Sequence, residues 1–391
     1  NMELATKRTL LCFTSALGLW IASIGSAQAQ LSTVKKGIVN ILGSTEGSGV
    51  IISSDNSNYK IATAWHVIAP NHKNEEIWIK TSDGMKHMVD NSSLVKLPNI
   101  DLAILSFSSP NYYPIVPIRS NSISTGATVI ISGWPNKGSK KLQTSIGKLI
   151  SISGVGIDQG YSVLYTNMTT PGMSGGPIFS KNGGLVGIHG RGEKNNEEFA
   201  RSTKTGINQG IPAFYLEQYL NGEPINSLKD HATDCGDYLA EARQSLSIPN
   251  SANITLSLAR KAVDHCEQRG HAYFLMAYSA RTLGDRQKAI QYYELAHTNN
   301  ALSSNSLSNL AATRMEPGFL DGQAINIKRV LSELNMSLKL NPENVYAMIN
   351  LSNAYLLLNQ TERARHILIR GLSRYPKAKH LRDSLDMLDG G

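Results

Sequence analysis

The sequence is poor in cysteine: Cys12, Cys235 and Cys266 are the only three in 391 residues. His, Cys and carboxylate side chains gather nowhere at ligand spacing, so neither a metal nor a cofactor is expected. Past the first 24 residues no apolar run reaches the ~20 residues that cross a bilayer. The formal charge is +8, yet the lysines fall in scattered pairs such as Lys35-Lys36 and Lys140-Lys141. Without a basic stripe, nucleic acid is not an expected partner, and the charge reads as surface chemistry that favours acidic partners.

Residues 1–29 have the composition of a secretory signal peptide. Lys7 and Arg8 precede a largely apolar run from Thr9 to Ile24, and Ala27-Gln28-Ala29 supplies small residues at a cleavage site. A periplasmic or secreted protein without stable membrane insertion after cleavage is the expectation. Only Cys235 and Cys266 survive that cleavage. In an oxidising compartment they read as one disulfide. Helices expected from about Thr233 to Ser247 and from about Asn253 to Gln268 form an antiparallel hairpin, whose open end the two cysteines would staple.

The most informative stretch is Pro171-Gly172-Met173-Ser174-Gly175-Gly176-Pro177. Glycines around Ser174 allow a tight turn that exposes its hydroxyl and lets backbone N–H groups face a substrate carbonyl. An attacking serine needs a base and a carboxylate to orient that base. His66 follows the apolar run Ile61-Ala62-Thr63-Ala64-Trp65, and Asp101 opens the apolar run Leu102-Ala103-Ile104-Leu105. Each alone is ordinary: a glycine turn, a histidine after a strand, an acid before one. His72 and His87 read as solvated loop histidines.

The order His66, Asp101, Ser174 is that of the chymotrypsin group, and roughly residues 34–220 resemble a compact bacterial trypsin-like serine peptidase. Short apolar segments broken by Gly, Asn, Ser and Pro fit this: Gly37–Leu42, Gly49–Ile52, Ile77–Thr81, Thr128–Ser132, Ser162–Thr166 and Leu185–His189. The resemblance implies two six-stranded antiparallel β-barrels over 30–222, closed by a helix from Ile211 to Leu220. It implies a Ser174-His66-Asp101 triad and an oxyanion hole from the N–H groups of Gly172 and Ser174. Met173 stands where digestive relatives carry an Asp that pairs with a new N-terminus, so activation through that ion pair is not expected. Leu185 to Gly192 matches the wall of the specificity pocket. As in V8-type glutamyl endopeptidases, His189 and Thr169 would read a substrate carboxylate, with Gly190, Arg191 and Gly192 beside them. Preference for Glu, or Asp, on the acyl side of the cut bond follows; a merely packed pocket-wall histidine is the alternative.

After a linker at 223–232 the composition changes to helix formers. Ala289 and Ala364 occupy matching places in helical hairpins, and Pro342 and Pro376 stand one tetratricopeptide period apart, about 34 residues. Residues 233–391 thus resemble an α-helical solenoid of tetratricopeptide repeats. Two units are fairly clear (Tyr273, Ala277, Gly284, Ala289, Tyr293, Ala296; Leu351, Tyr355, Ala364, Leu368, Gly371, Pro376). A middle one departs, with Val330 at the alanine position and its first helix interrupted by Glu316-Pro317-Gly318. Such a solenoid implies a groove for a peptide or protein partner. The whole reads as a serine endopeptidase acting on protein or peptide substrates. A catalytically weak scaffold that works through its repeats, and an esterase on the same site, are the competing readings. So is a quality-control peptidase of the HtrA group, although that group carries PDZ domains after its barrels.

Overall fold

The computed structural model describes residues 29–69, 75–121, 123–135, 141–154, 158–193, 204–225, 231–316 and 325–390. The expected signal segment therefore lies outside the described residues up to position 28, as do His72 and positions 226–230 of the linker. The chain divides into two compact units, one of residues 1–192 with 208–230, the other of 193–207 with 231–391.

The first unit opens with a helix described over 29–35, α1, followed by seven strands: β1 (Ile38–Leu42), β2 (Glu46–Asp55), β3 (Asn58–Ala64), β4 (Trp78–Lys80), β5 (Lys86–Met88), β6 (Val95–Lys96) and β7 (Leu102–Ser108). They pair antiparallel in the order β5-β4-β1-β2-β3-β7-β6. The expected first barrel is a half-barrel: its edge strands β5 and β6 are only three and two residues long, and just past β5 the Asp90 N–H donates to the Ser106 carbonyl of β7 at 3.1 Å. A short helix α2 (Trp65–Ile68) follows β3 directly. His87 is not a free loop residue: it sits in β5 with its Nε2 3.0 Å from the Tyr113 hydroxyl.

Six further strands close a barrel in the order β10-β13-β12-β11-β8-β9: β8 (Thr128–Gly133), β9 (Gln143–Ile152), β10 (Val163–Tyr165), β11 (Pro177–Ser180), β12 (Leu185–Arg191) and β13 (Asn208–Pro212). The expected helix from Ile211 begins only at Phe214 (α3, Phe214–Leu220), because Ile211 and Pro212 complete β13. Ile38, Val50 and Leu102 of the sheet share one core with Ile130, Phe179 and Ile188 of the barrel. That shared apolar layer fixes the two sheets against each other.

The second unit holds nine helices among its described residues: α4 (Cys235–Ser245), α5 (Ala252–His265), α6 (Gly270–Thr282), α7 (Arg286–Thr298), α8 (Ser304–Met315), α9 (Ile327–Leu340), α10 (Val345–Leu357), α11 (Thr361–Arg374) and α12 (Lys379–Asp389). Side-chain caps start several of them; Asp234 and Ser303 form full capping boxes at α4 and α8. Ala289 and Ala364 are fully buried, and a Cβ at Gly371 would stand 2.9 Å from Leu381 and 3.1 Å from the Met348 sulfur. Small residues are thus what these places accept. Val330, larger than the expected alanine, is buried among Ala311, Leu334, Leu351 and Ala354. At the interruption expected over Glu316-Pro317-Gly318, α8 ends at Met315; Glu316 is its C-cap and pairs with Arg281 and Arg286, while Pro317 and Gly318 lie outside the described residues. Cys235 and Cys266 form a disulfide with Cα atoms 4.8 Å apart, at the start of α4 and the end of α5.

One boundary differs from expectation. Glu193–Ile207, which connects β12 to β13, belongs to the helical unit. Arg243 Nε of α4 donates to the Ile207 carbonyl at 2.8 Å, and Asn309 Nδ2 of α8 donates to the Lys204 carbonyl at 3.0 Å. The Glu193 carboxylate accepts the N–H groups of Thr205 and Gly206, each at 2.8 Å.

Candidate active site

His66 lies in α2 at the end of β3, and Asp101 immediately precedes β7, the strand paired with β3. The adjacency of those two strands is what joins residues distant in sequence. His66 Nδ1 is 2.7 Å from Asp101 Oδ2, and the His66 backbone N–H donates to Oδ1 at 2.9 Å. The Trp65 N–H donates to the Asp101 carbonyl at 3.0 Å, and the Asp101 N–H donates to the Gln159 carbonyl at 2.9 Å. Asp101 is 3% exposed. Burial pushes its carboxyl pKa upward, but the hydrogen bonds from His66 and Tyr161 and the charge of His66 outweigh it and hold the pKa below the usual range. A buried carboxylate that stays ionised can fix the imidazole tautomer, leaving Nε2 as the basic nitrogen.

Ser174 sits on the turn between β10 and β11. The Met173 N–H donates to the Thr170 carbonyl at 3.1 Å across Pro171-Gly172, with Gly172 at φ 98°, the arrangement of a type II turn. Gly175 has φ 85°, and a Cβ there would stand 2.1 Å from the Ser48 carbonyl oxygen and 2.2 Å from Thr63 Oγ1. No side chain fits. Among the described residues, neither the Gly172 N–H nor the Ser174 N–H donates within the protein, as an oxyanion site requires. Ser174 Oγ donates to the Gly190 carbonyl at 3.2 Å rather than to His66, so histidine and aspartate are coupled while the serine limb is not.

Ser48 was not foreseen from the sequence. Its Oγ donates to the Gly172 carbonyl at 2.9 Å and accepts the Trp134 N–H at 2.7 Å, while its own N–H donates to the Ser174 carbonyl at 2.8 Å. One serine between two glycines thus ties the nucleophile turn to β2. Its only signal was the Gly47-Ser48-Gly49 triplet. Met173 is buried among Val129, Ile131 and Tyr165, an apolar anchor for the turn where an ion pair is absent.

The pocket-wall residues separate. His189 is 2% exposed, its backbone tied to the nucleophile turn by Gly175 N–H to His189 O (2.7 Å) and His189 N–H to Gly176 O (2.8 Å). Its Nδ1 is 2.5 Å from the Tyr165 hydroxyl, which also lies 2.8 Å from the Gln209 carbonyl. Burial, helped by the charge of His66, lowers its pKa to about 3, so the ring is neutral near pH 7. Thr169 is half-buried, and a Cβ at Gly192 would stand 3.4 Å from its hydroxyl. Arg191 does not serve a pocket as expected. A register shift between His189 and Arg191 turns it so that its guanidinium pairs with Asp158 and lies 3.8 Å from the Tyr161 ring centre.

With that geometry in hand, residues 47–188 match the family of the trypsin-like peptidase domain, and residues 270–298 match the tetratricopeptide repeat. The chain is 26% identical over 181 residues to the serine protease Do-like HtrA of Bacillus subtilis (strain 168), an alignment covering 44% of this chain and 37% of that protein. The chain therefore spans well under half the length of this curated relative. Together with the half-barrel and the closed barrel, these matches make the fold chymotrypsin-like, followed by a helical region that includes a tetratricopeptide repeat.

Proposed function

We propose that this trypsin-like peptidase domain with its tetratricopeptide repeat is an exported serine endopeptidase that works through Ser174, His66 and Asp101. The observation that carries the reading is the ionised, buried Asp101 bonded to His66 Nδ1, with Ser174 held on a turn whose Gly172 and Ser174 N–H groups are unspent. A substrate carbonyl entering between those donors replaces nothing already bonded there. Rotation about the Ser174 Cα–Cβ bond moves its proton from the Gly190 carbonyl to His66 Nε2. The oxygen then attacks, His66 carries the proton to the leaving amine, and Asp101 stabilises the imidazolium in between. Water repeats the sequence to release the acyl group.

His189 supports a preference for Glu or Asp on the acyl side of the cut bond. The Tyr165 hydroxyl has one proton for two acceptors. Given to Gln209 O, it obliges His189 Nδ1 to be protonated and leaves Nε2 an acceptor. Given to Nδ1, it leaves Nε2–H as a donor, and a substrate carboxylate selects that arrangement. The helical repeats are assigned to a peptide or protein partner, with the periplasm or exterior as the compartment.

A fluorophosphonate probe on the purified protein is expected to label Ser174, with labelling lost in Ser174→Ala. Folded protein that takes no label would leave the scaffold reading. Profiling a peptide library on the same sample is expected to rank Glu first, and to lose that ranking in His189→Ala. Equal cleavage after Lys, Phe and Glu would remove the carboxylate preference but leave the peptidase.

A further inference from the structure

We infer that Tyr161 is a positioning residue of the triad, its phenol proton serving as a donor to Asp101 beside the two that His66 supplies. The inference rests on the triad proposed above. Three independent features converge on it.

The first is the bond itself: Tyr161 Oη donates to Asp101 Oδ2 at 2.5 Å, on the same oxygen that faces His66 Nδ1. Tyr161 is fully buried, and its pKa is raised well above the usual phenol value, by burial first and then by the charge of Asp101. It therefore keeps its proton, and remains a donor, near neutral pH. The second is space. A Cβ at Gly190 would stand 2.1 Å from Tyr161 Oη and 2.6 Å from its ring. The phenol occupies the volume that any side chain on that part of β12 would need, so Gly190 is the condition for Tyr161 to reach Asp101. The third is how the ring is held. Asp158, Gln159 and Gly160 all have positive φ (43°, 60° and 90°), an unfavourable run for the first two. That bend places Asp158 against Arg191, and the Arg191 guanidinium over the Tyr161 ring. The same bend supplies the Gln159 carbonyl that accepts the Asp101 N–H. Strained backbone, ion pair and stacked cation thus brace a single hydroxyl.

The physical effect is on charge. A phenol proton against Oδ2 offsets part of the carboxylate's negative potential and fixes its rotation, so that one oxygen meets the imidazole and the other meets the backbone N–H. Without it, the carboxylate is freer to turn and the His66–Asp101 pair takes up its proton at higher pH.

The test begins with fluorophosphonate labelling of wild type and Ser174→Ala. If wild type does not label, the triad reading itself falls, whatever Tyr161 does. With labelling established, Tyr161→Phe keeps the ring under Arg191 and removes only the hydroxyl. Its kcat is expected to fall about tenfold at nearly unchanged KM, in line with the loss of one charge-assisted hydrogen bond. The acid limb of its kcat/KM profile is expected at higher pH than that of wild type. An unchanged kcat would overturn the inference, and so would a reduced kcat with an unmoved acid limb, since that marks a purely structural contribution. Should Tyr161→Phe fail to fold, Asp158→Asn loosens the brace and keeps the phenol. A smaller kcat loss with the same direction of pH shift supports the assignment; no shift overturns it.

Discussion

In the β unit the polar bonds that matter for the site span long stretches of chain: Ser48 to Gly172 across 124 residues, Tyr161 to Asp101 across 60, His66 to Asp101 across 35. In the helical unit one bond, from Asn309 to Lys204, spans 105 residues, but the bonds that start the helices are local. The Asp285 and Ser303 caps each reach a backbone N–H three residues on. A site assembled from distant segments exists only when the whole β unit is folded, whereas each helical hairpin carries much of its own order. Substitutions should therefore act on activity abruptly in the first unit and on stability by increments in the second.

The largest expected effect is the loss of turnover in Ser174→Ala, by at least about 10⁴-fold, measured as peptide hydrolysis. Retained hydrolysis would remove the reason for treating the β unit as the seat of chemistry. Gly175→Ala comes next. Its methyl would be driven into Ser48 and Thr63 from a left-handed backbone, so a destabilisation of about 3 kcal/mol or more is expected from denaturant titration, with activity lost as well.

A pH titration of stability sharpens the comparison further. His189 is neutral in the folded protein down to about pH 3, whereas in the unfolded chain it protonates near 6.5. Between those limits the unfolded state binds the additional proton. Stability should fall as pH drops below about 6.5, by up to ~1.4 kcal/mol per unit, until folded His189 protonates near 3. His189→Gln should flatten that slope in urea titrations; an identical slope would show that other groups govern it.

In the helical unit, the double variant Cys235→Ser with Cys266→Ser should lose about 2–4 kcal/mol of stability while peptide hydrolysis is largely kept. Two alkylatable thiols in non-reduced protein would contradict the staple. The smallest effect is expected at Gly371. Gly371→Ala crowds Leu381 and Met348 but gains helix propensity of up to about 1 kcal/mol, so the melting midpoint should barely move, whereas Gly371→Val should lower it.

Ser174, His66 and Asp101, the residues proposed for the triad, were singled out because each sits in a short motif with its own turn or strand signal. Ser48 and Tyr161 were not, since their roles lie in partners scores of residues away that no local pattern announces. Arg191 misled for a different reason. Period-two alternation would put it on the same side as His189, and the bulge that redirects it is invisible in composition. How far the first sheet curls towards closure was not legible, because that depends on the length of the edge strands β5 and β6, not on the presence of strands. The alanine positions of the helical unit were readable because packing there repeats with the sequence.

The stretch Glu193–Ile207 gives the molecule an unusual wiring. The backbone passes between the β and helical units three times, at 192–193, 207–208 and 230–231. A protease that nicks the 223–232 connection therefore leaves two covalent fragments that are not a clean β unit and a clean helical unit. The N-terminal one carries 193–207, whose Ile207 and Lys204 carbonyls accept from Arg243 and Asn309 of the other. A gene truncated at residue 231 is likewise no isolated peptidase. It would encode a β unit whose strand connection has lost the helices that hold its carbonyls.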